Sequence, residues 1–467
     1  MNRYFLAIIG GGPAGYTAAE KASKAGKDVV LFEQNAVGGT CLNVGCIPTK
    51  SLLYGAKQYY NATHAAKYGV TAENVTFDYA AMQKRKTIVV RKLVAGIKQR
   101  LNNEHCTVVN GFAKIVAQQP TTNDERLTTI ECNGQLYEAQ NILICTGSTN
   151  FVPPIPGIKD NPAIWDSTDA LAATALPESI IIVGGGVIGM EFATLYHELG
   201  VPVTVIEAMP TILPNLDQDV VSVLLDKYRK AGINILTGTK VEKIEGNEVF
   251  VQSPITNNQS PISAERILVS VGRRANLQGL EALNDLELNR GAIVIDEFCK
   301  TNLPNVYACG DVTGKIMLAH VASRQAEVAV DHLLSTANSQ LSTSFNSQLS
   351  TLNYNAIPSV VYTNPEIASV GITEAQAAEL NITPEVRQLP MTFSGRFMAE
   401  NEGETGLCKM VIDSKTQMVL GVHMIGNPCS EFIAAASFAV RNGYTVPEFQ
   451  QVVFPHPTVS EILHEIL

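Results

Sequence analysis

Short apolar runs, glycine turns and helical stretches follow one another from the start of the chain. The apolar run at 5–9 leads into a glycine-rich turn and an alanine-rich stretch that extends to about Ala25. A second apolar run at 29–32 then ends at Glu33. Short apolar runs bounded by turn residues are typical of buried strands. This segment therefore predicts a strand–glycine turn–helix–strand unit that ends in an acidic residue.

The same order of patterns returns in the middle of the chain. An apolar run at 179–183 precedes a second glycine-rich turn, and a helical stretch extends to about Leu199. The apolar run at 203–206 then ends at Glu207. A glycine motif alone is weak, but in this complete context it is a dinucleotide-binding signature. Two such units predict two nucleotide sites.

The spaced glycines have separate physical tasks. The first permits a tight turn, the second lets the backbone approach a pyrophosphate, and the third lets helix and strand pack closely. The helix N-terminus then offers free N–H groups and about half a positive charge to the phosphates. The predicted phosphate-binding glycines are Gly10, Gly12 and Gly15 in the first unit and Gly184, Gly186 and Gly189 in the second.

The acidic residue that ends each unit is placed to accept hydrogen bonds from ribose hydroxyls. Glu33 and Glu207 hold these positions. The residues after Glu207 are Ala208, Met209 and Pro210, so no arginine is present there to pair with a 2′-phosphate. We therefore expect the second site to prefer NAD over NADP.

Other apolar runs predict further strands. The segments 127–132 and 141–145 are rich in Thr, Val and Ile and predict small antiparallel sheets. The run at 266–272 is another strand followed by glycine. A strand that ends at Gly310-Asp311 would place the Asp311 carboxylate where it can meet a polyol hydroxyl. Together the patterns predict an α/β fold with two Rossmann-like dinucleotide-binding domains.

Composition and charge exclude several classes of protein. The chain has 467 residues, of which 46% are hydrophobic and 17% charged, and 34 basic against 44 acidic residues give a net charge of −10. This length predicts about three domains. The acidic balance disfavours a nucleic-acid partner, and no stretch approaches the ~20 apolar residues of a membrane span. The N-terminus shows no cleavable signal pattern, so we expect a cytoplasmic location.

Two of the nine cysteines stand apart. Cys41 and Cys46 lie in GGTCLNVGCIPTK, and their spacing differs from the CxxC of zinc sites, so a metal is not expected. Residues five apart in a regular helix have Cα atoms roughly 8–9 Å apart, whereas a disulfide needs about 4.4–6.8 Å. A bridge therefore requires a distorted helix turn, which Gly45 and Pro48 favour. Lys50, on the helix face of Cys46, could lower a thiol pKa. These residues predict a strained, reducible disulfide.

A histidine near the C-terminus is a candidate base. His456 lies between Pro455 and Pro457, and Glu461 follows five residues later. The prolines stiffen the segment, and the carboxylate could fix one ring nitrogen and leave the other as a base. Alone, such a pair is more often surface structure.

At this point the chain resembles the dihydrolipoamide dehydrogenase branch of the pyridine nucleotide–disulfide oxidoreductase family, almost from end to end. The matching motifs are GGGPAGY at 10–16, GGTCLNVGCIPTK at 38–50, GGGVIGME at 184–191, SVGRRAN at 270–276, GDV at 310–312, MLAH at 317–320, YTNPEIASVG at 362–371 and HPTVSE at 456–461.

The resemblance implies FAD and NAD as cofactors and a C-terminal α+β dimerisation domain. The implied division is an FAD domain at 1–148 that continues at 271–337 as a central segment, an NAD domain at 149–270 and the dimerisation domain at 356–467. Residues 338–355 are of low complexity and contain the repeat NSQLST, and this composition predicts a surface insertion or linker.

The resemblance also implies residue roles. Lys50 would lie near the flavin and pair with Glu191, and Val241 and Gly272 would flank NAD. His456 and Glu461 would serve the active site of the other subunit of a homodimer. The residues implied at FAD are Glu33, Thr40, Ala113, Thr146, Gly147, Asp311 and Ala319.

The implied activity is oxidation of protein-bound dihydrolipoamide through Cys41 and Cys46, with reduction of NAD. The implied partners are lipoyl domains of 2-oxo acid dehydrogenase acyltransferases or the glycine cleavage H protein, and the sequence does not choose between them. An NADPH-dependent glutathione-type reductase, a mercuric reductase and a soluble transhydrogenase fit less well. A docking subunit or a thiol redox sensor stays open.

Three features depart from the family pattern. Phe454 stands where relatives often carry a second histidine, so no catalytic role is assigned to it. The segment 426–431 and the repeat at 338–351 are also unusual, and both lie away from the motifs.

Overall fold

A computed structural model describes residues 2–120, 126–252, 261–337 and 351–467. Most of the low-complexity segment expected at 338–355, namely residues 338–350, lies outside the described residues. The described residues form two compact units. The first lies within Met1–Ser51, Gln83–Phe151 and Gly272–Leu352, and the second within Leu52–Met82, Val152–Val271 and Asn353–Leu467.

The first unit is built around a seven-stranded sheet. Its strands, in spatial order, are Thr107–Asn110, Val29–Glu33, Asn2–Ile9, Gln135–Ile144, Arg126–Cys132 and Ala113–Pro120, and Val306–Ala308 pairs with Gln135–Ile144. Small two-stranded sheets pair Ser148–Asn150 with Arg273–Ala275 and Leu288–Asn289 with Ala292–Ile293. The helices Pro13–Lys24, Gly39–Val44 and Ala319–Ala337 belong to this unit. Two further helices have residues in both units: Cys46–Thr63 begins in the first unit, and Tyr79–Asn103 ends in it.

The strand Gln135–Ile144 corrects one expectation. The segment 127–132 is antiparallel, as predicted. The segment 141–145 is not part of a small antiparallel sheet, because Leu6 pairs in parallel with Asn141 and Ile9 with Ile144. The strand Gln135–Ile144 therefore pairs in parallel with Asn2–Ile9 along most of its length, while its first half also pairs antiparallel with Arg126–Cys132 on its other side.

The second unit contains a five-stranded parallel sheet, whose strands in spatial order are Asn234–Leu236, Val203–Ile206, Ile180–Val183, Arg266–Val269 and Ile164–Trp165. Beside it in sequence, Lys240–Glu245, Glu248–Gln252 and Ile262–Ser263 form an antiparallel sheet. The helices of this part are Ser167–Ala172, Val187–Glu198 and Gln218–Lys230. The predicted second strand–turn–helix–strand unit is thereby confirmed.

The C-terminal part of the second unit is α+β, as predicted. Its antiparallel sheet has the order Ser359–Val361, Ile367–Gly371, Val419–Ile425, Leu407–Asp413 and Pro384–Leu389. Its helices are Glu374–Glu379, Gly395–Glu400, Cys429–Asn442, Val446–Phe449 and Ile462–Glu465.

Central strands in both units are buried along their whole length, because their side chains are almost all apolar on both faces of the sheet. All five residues of Val29–Glu33 and all four of Ile180–Val183 are buried. Burying a Val, Leu, Ile or Phe side chain contributes roughly 1.5–3 kcal/mol each. The turns after these strands are therefore held on rigid supports. Within the described ranges, no helix is both long and apolar enough to cross a membrane.

Candidate functional site

The two special thiols lie at a break between two helices. Cys41 belongs to the helix Gly39–Val44, and Cys46 begins the helix Cys46–Thr63, which we call the thiol helix. Gly45 separates them with φ −145° and ψ −114°, which is not helical. The predicted distortion of the helix turn is confirmed. It brings the two sulfurs together, since the Cys41 thiol hydrogen-bonds that of Cys46.

Gly45 is needed for this close approach. A Cβ atom at Gly45 would lie 2.9 Å from the carbonyl oxygen of Thr40 and 3.3 Å from the Cα of Cys41. The Thr49 hydroxyl donates to the Gly45 carbonyl at 2.7 Å. The Asn43 side-chain amide donates to the Gly39 carbonyl at 3.0 Å. Local bonds therefore fix the backbone on each side of the thiol pair.

The electrostatics at the thiol pair favour deprotonation of one cysteine, not of both. The hydrogen bond to Cys46, burial and the charge of the Cys46 sulfur raise the pKa of the Cys41 thiol above its usual value, and Lys50 lowers it. Lys50 acts in the expected direction, but its effect is outweighed at Cys41. Burial and the nearby Cys41 also raise the pKa of Tyr16, which the sequence did not single out. The structure records both cysteines as thiols.

The first glycine turn has the geometry of a phosphate cradle. Gly10 has φ +106°, and a Cβ there would lie 2.2 Å from the carbonyl oxygen of Cys145. A Cβ at Gly15 would lie 1.8 Å from the carbonyl oxygen of Gly10. The helix Pro13–Lys24 starts at Gly12 with no side-chain cap, so its first N–H groups are not met by a side chain. These donors fit a pyrophosphate.

The second glycine turn repeats this geometry. Gly184 has φ +109°, and a Cβ at Gly189 would lie 2.0 Å from the Gly184 carbonyl oxygen. The helix Val187–Glu198 starts at Gly186, again with no side-chain cap. The second unit therefore fits a second dinucleotide.

Both acidic residues are buried and hold their glycine turns in the same way. Glu33 accepts from the Gly11 N–H at 2.7 Å and from the Asn35 N–H at 2.8 Å. Glu207 accepts from the Gly185 N–H at 2.6 Å and from the Met209 N–H at 2.7 Å. Each carboxylate oxygen has a second acceptor site. The residues therefore fit a ribose while they also order the turn, and no local sequence pattern indicates this second role.

Asp311 lies in a polar chain within the first unit. The Ser148 hydroxyl donates to Asp311 Oδ2 at 2.6 Å, and Arg273 Nε donates to the Ser148 hydroxyl at 2.7 Å. The Gly310 N–H donates to the fully buried side chain of Gln325 at 2.7 Å. The Ser148 hydroxyl therefore orients the Asp311 carboxylate, and Gln325 holds the backbone directly before it. Ser148, Arg273 and Gln325 were missed because their sequence separations carry no local signal.

The other predicted cofactor residues of the first unit fall at strand and helix ends. Thr146 donates its hydroxyl to the Asn276 carbonyl at 2.5 Å, and Gly147 has φ +70°. Ala113 begins a strand, and Ala319 begins the helix Ala319–Ala337. Thr40 lies in the helix that carries Cys41, and Gly272 has φ +123°. Their cofactor contacts stay predictions.

In the second unit, Glu191 is buried and accepts from the Tyr362 N–H at 3.1 Å. Val241 lies in the strand Lys240–Glu245. The predicted pairing of Glu191 with Lys50 concerns residues of different units and stays a prediction.

The C-terminal pair has the predicted geometry. His456 Nδ1 lies 2.8 Å from Glu461 Oε1, and the Thr458 N–H donates to Glu461 Oε2 at 2.7 Å. The Thr458 N–H and the His456 ring hold the pKa of the Glu461 carboxyl below its ordinary value. If Nδ1 carries the proton, Nε2 is left as the base. The His456 side chain is 81% exposed, so it is open to a second molecule.

Two nucleotide-binding turns with a thiol pair at a helix break define a dinucleotide-dependent dithiol–disulfide oxidoreductase. The chain belongs to the pyridine nucleotide-disulphide oxidoreductase family, which it matches over residues 4–326, and residues 357–467 match the dimerisation domain of that family. The dimerisation domain indicates a homodimer. The predicted fold class is confirmed.

Among its relatives, the chain is 36% identical to dihydrolipoyl dehydrogenase of Chlamydia pneumoniae, with 98% of this chain and 95% of that protein covered. It is 35% identical to dihydrolipoyl dehydrogenase of Bacillus subtilis, with 99% and 97% covered. A solved structure of the HOCl-induced flavoprotein disulfide reductase RclA from Escherichia coli, as a Cu(II) complex, matches with TM-score 0.83 and 30% identity over 100% of this chain and 99% of that chain. LpdA from Mycobacterium tuberculosis matches with TM-score 0.87 and 26% identity over the same shares.

Proposed function

We propose that this chain is an NAD-dependent dihydrolipoyl dehydrogenase that oxidises dihydrolipoamide through Cys41 and Cys46. The observation that carries the proposal is the pair of hydrogen-bonded thiols at the Gly45 break, in a unit whose glycine turn fits a dinucleotide. The full-length likeness to proteins named dihydrolipoyl dehydrogenase supports this substrate over other dithiols.

The cofactors are FAD and NAD. The first glycine turn, Glu33 and Asp311 would hold FAD, and the second glycine turn with Glu207 would hold NAD. When bound, the flavin supplies the two-electron link between a dithiol and a nicotinamide. The protein contributes the positions of these groups and the electrostatics around them.

The thiol chemistry follows from this chain's own residues. The working enzyme starts with a Cys41–Cys46 disulfide. His456 of the second subunit takes the proton of one substrate thiol, and the thiolate attacks the sulfur of Cys41. The Cys41–Cys46 bond breaks, Cys46 leaves as a thiolate, and the substrate is joined to Cys41. The second substrate sulfur, once deprotonated, displaces Cys41, so that lipoamide leaves and the enzyme holds two reduced cysteines.

Glu461 has a defined part in this scheme. It accepts from one nitrogen of His456 and so fixes which nitrogen is the base. Its carboxylate stays ionised because the Thr458 N–H and the histidine lower its pKa. The negative charge also stabilises the imidazolium that forms on proton transfer.

The partners and location are part of the proposal. Lipoyl domains of 2-oxo acid dehydrogenase acyltransferases, or the H protein of glycine cleavage, would present the dithiol. The expected location is the cytoplasm.

Steady-state assays test the activity. The wild type should reduce NAD with dihydrolipoamide and show much weaker turnover with NADP. Cys46→Ser should abolish this reaction, because no disulfide can form. Cys106→Ser, which alters a buried cysteine of the same unit, is the matched control and should keep the activity. Full turnover by Cys46→Ser would refute the proposal.

A further inference from the structure

We propose that Ser394 is a positioning residue for the His456–Glu461 pair. The inference rests on the proposed function, because it gives His456 a proton to move. Ser394 has no bond to His456 itself. It acts through the backbone at Thr458.

Ser394 lies directly before the helix Gly395–Glu400 and is 1% exposed. Its hydroxyl accepts from the Phe397 N–H at 3.3 Å and so caps that helix. The same hydroxyl donates to the carbonyl oxygen of Thr458 at 3.0 Å. A hydroxyl has one proton to give and lone pairs to receive. Both functions are used here, so the Ser394 side chain is fixed in one orientation.

Thr458 carries the connection from Ser394 to the carboxylate. Its carbonyl accepts from Ser394, its N–H donates to Glu461 Oε2 at 2.7 Å, and its hydroxyl donates to the Pro455 carbonyl at 2.8 Å. Glu461 Oε1 in turn lies 2.8 Å from His456 Nδ1. A continuous set of short bonds therefore runs from a buried serine to an exposed imidazole.

Exposure explains why such an anchor is needed. The His456 side chain is 81% exposed and the Glu461 side chain 20% exposed, so packing within this chain does little to aim the ring. A general base must stay within about 2.6–3.2 Å of the proton that it takes. If the backbone at Thr458 shifts, Glu461 loses its N–H donor and the imidazole loses its orientation.

The first test is Ser394→Ala, which removes the hydroxyl and adds no atoms. Turnover is expressed per bound flavin, so that loss of folded protein does not enter the value. We expect kcat with dihydrolipoamide to fall roughly 10-fold, a part of the 10²–10⁴-fold that a positioned base contributes. The KM for NAD and the NADH-dependent reduction of ferricyanide, which needs no thiol base, should stay unchanged.

The matched control is Thr373→Ala. Thr373 caps the helix Glu374–Glu379, which has the same length and lies in the same C-terminal part of the chain, and its hydroxyl accepts from the Gln376 N–H at 3.2 Å. Losing this cap costs stability of the same kind. It should leave kcat with dihydrolipoamide within two-fold of the wild type.

A double-mutant cycle separates positioning from a general structural effect. In a Glu461→Ala background the set of bonds from Ser394 to His456 is already interrupted, so adding Ser394→Ala should change kcat by less than two-fold. A further drop of roughly 10-fold in that background would show that Ser394 acts independently of Glu461 and would overturn the inference.

The two failures are distinguishable. A wild type without dihydrolipoamide-dependent NAD reduction overturns the proposed function. A wild type with this activity, whose Ser394→Ala and Thr373→Ala variants have equal kcat, overturns the inference alone.

Discussion

Glu198 is a buried acid whose charge the fold opposes. It ends the helix Val187–Glu198, is 6% exposed, and lines a cavity of about 20 Å³ with Tyr60, Lys227 and Tyr228. Burial raises the pKa of its carboxyl to about 7, although the Asn364 side-chain amide, which donates to Oε1 at 2.7 Å, and the charges of Lys57 and Lys227 lower it. Glu198→Gln removes the charge and keeps an oxygen that can accept from Asn364.

The magnitude follows from proton linkage. The folded pKa of about 7 lies above the ordinary value of 4.5, so the folded state binds the proton more tightly. The stabilising contribution of the protonated acid is complete below about pH 4.5 and is lost as pH rises through 7. At 1.36 kcal/mol per pKa unit, the free energy of unfolding of the wild type should fall by about 2.5 kcal/mol between pH 5 and pH 8 through this one group. Glutamine does not titrate, so the variant lacks this loss.

Thermal unfolding at the two pH values measures the effect. The difference in Tm between Glu198→Gln and the wild type should be more positive at pH 8 than at pH 5 by roughly 2–5 °C, taking about 1–2 °C per kcal/mol for a chain of this length. Glu379→Gln, which removes an exposed carboxylate of the same unit, is the matched control and should show no such dependence. An equal difference at both pH values would refute the linkage.

Three further substitutions test a buried ion pair, the helix break at the thiol pair and the first glycine turn. Lys409 is 2% exposed and its ammonium lies 3.0 Å from the buried Asp217 and 2.6 Å from Asp219. Lys409→Met should lower the free energy of unfolding by roughly 3–5 kcal/mol in urea titrations, because a buried carboxylate loses its cation, whereas exposed Lys415→Met should change it little. Gly45→Ala should push Cys46 away from Cys41 and lower dihydrolipoamide turnover at least 10-fold. Gly55→Ala in the thiol helix, where the added methyl meets the flexible Met82 side chain, should keep the turnover. Normal turnover of Gly45→Ala would contradict the tight contact. Gly15→Ala should abolish retention of flavin colour on purification, because its Cβ would meet the Gly10 carbonyl at 1.8 Å, whereas Gly96→Ala, with open space around it, should purify yellow.

The sequence predicts the features that depend on short spacing. The glycine turns at Gly10 and Gly184 follow apolar strands at fixed distances, and each precedes a helix, so local pattern suffices. The helix break at Gly45 is predictable because two cysteines five apart cannot meet in a regular helix. The bond between His456 and Glu461 also joins near neighbours in sequence.

Contacts between distant residues could not be predicted in this way. Ser148 and Arg273 meet across 125 residues, and Asn364 reaches Glu198 across 166. Each residue alone is an ordinary polar residue of a loop, a strand or a helix end. The strand Gln135–Ile144 was misassigned in its second half for a related reason, because its apolar pattern is compatible with parallel or antiparallel neighbours and only the fold decides.

Cysteine mapping most directly tests the claim that Cys41 and Cys46 form the redox-active disulfide. The purified enzyme is incubated without oxygen, with and without one equivalent of NADH, then alkylated with iodoacetamide and analysed by peptide mass spectrometry. The other seven cysteines are buried and serve as internal controls. The account predicts that NADH adds alkyl groups at Cys41 and Cys46 alone, and that in the untreated enzyme these two cysteines form a disulfide within one peptide. Equal labelling of both cysteines before and after NADH would contradict it.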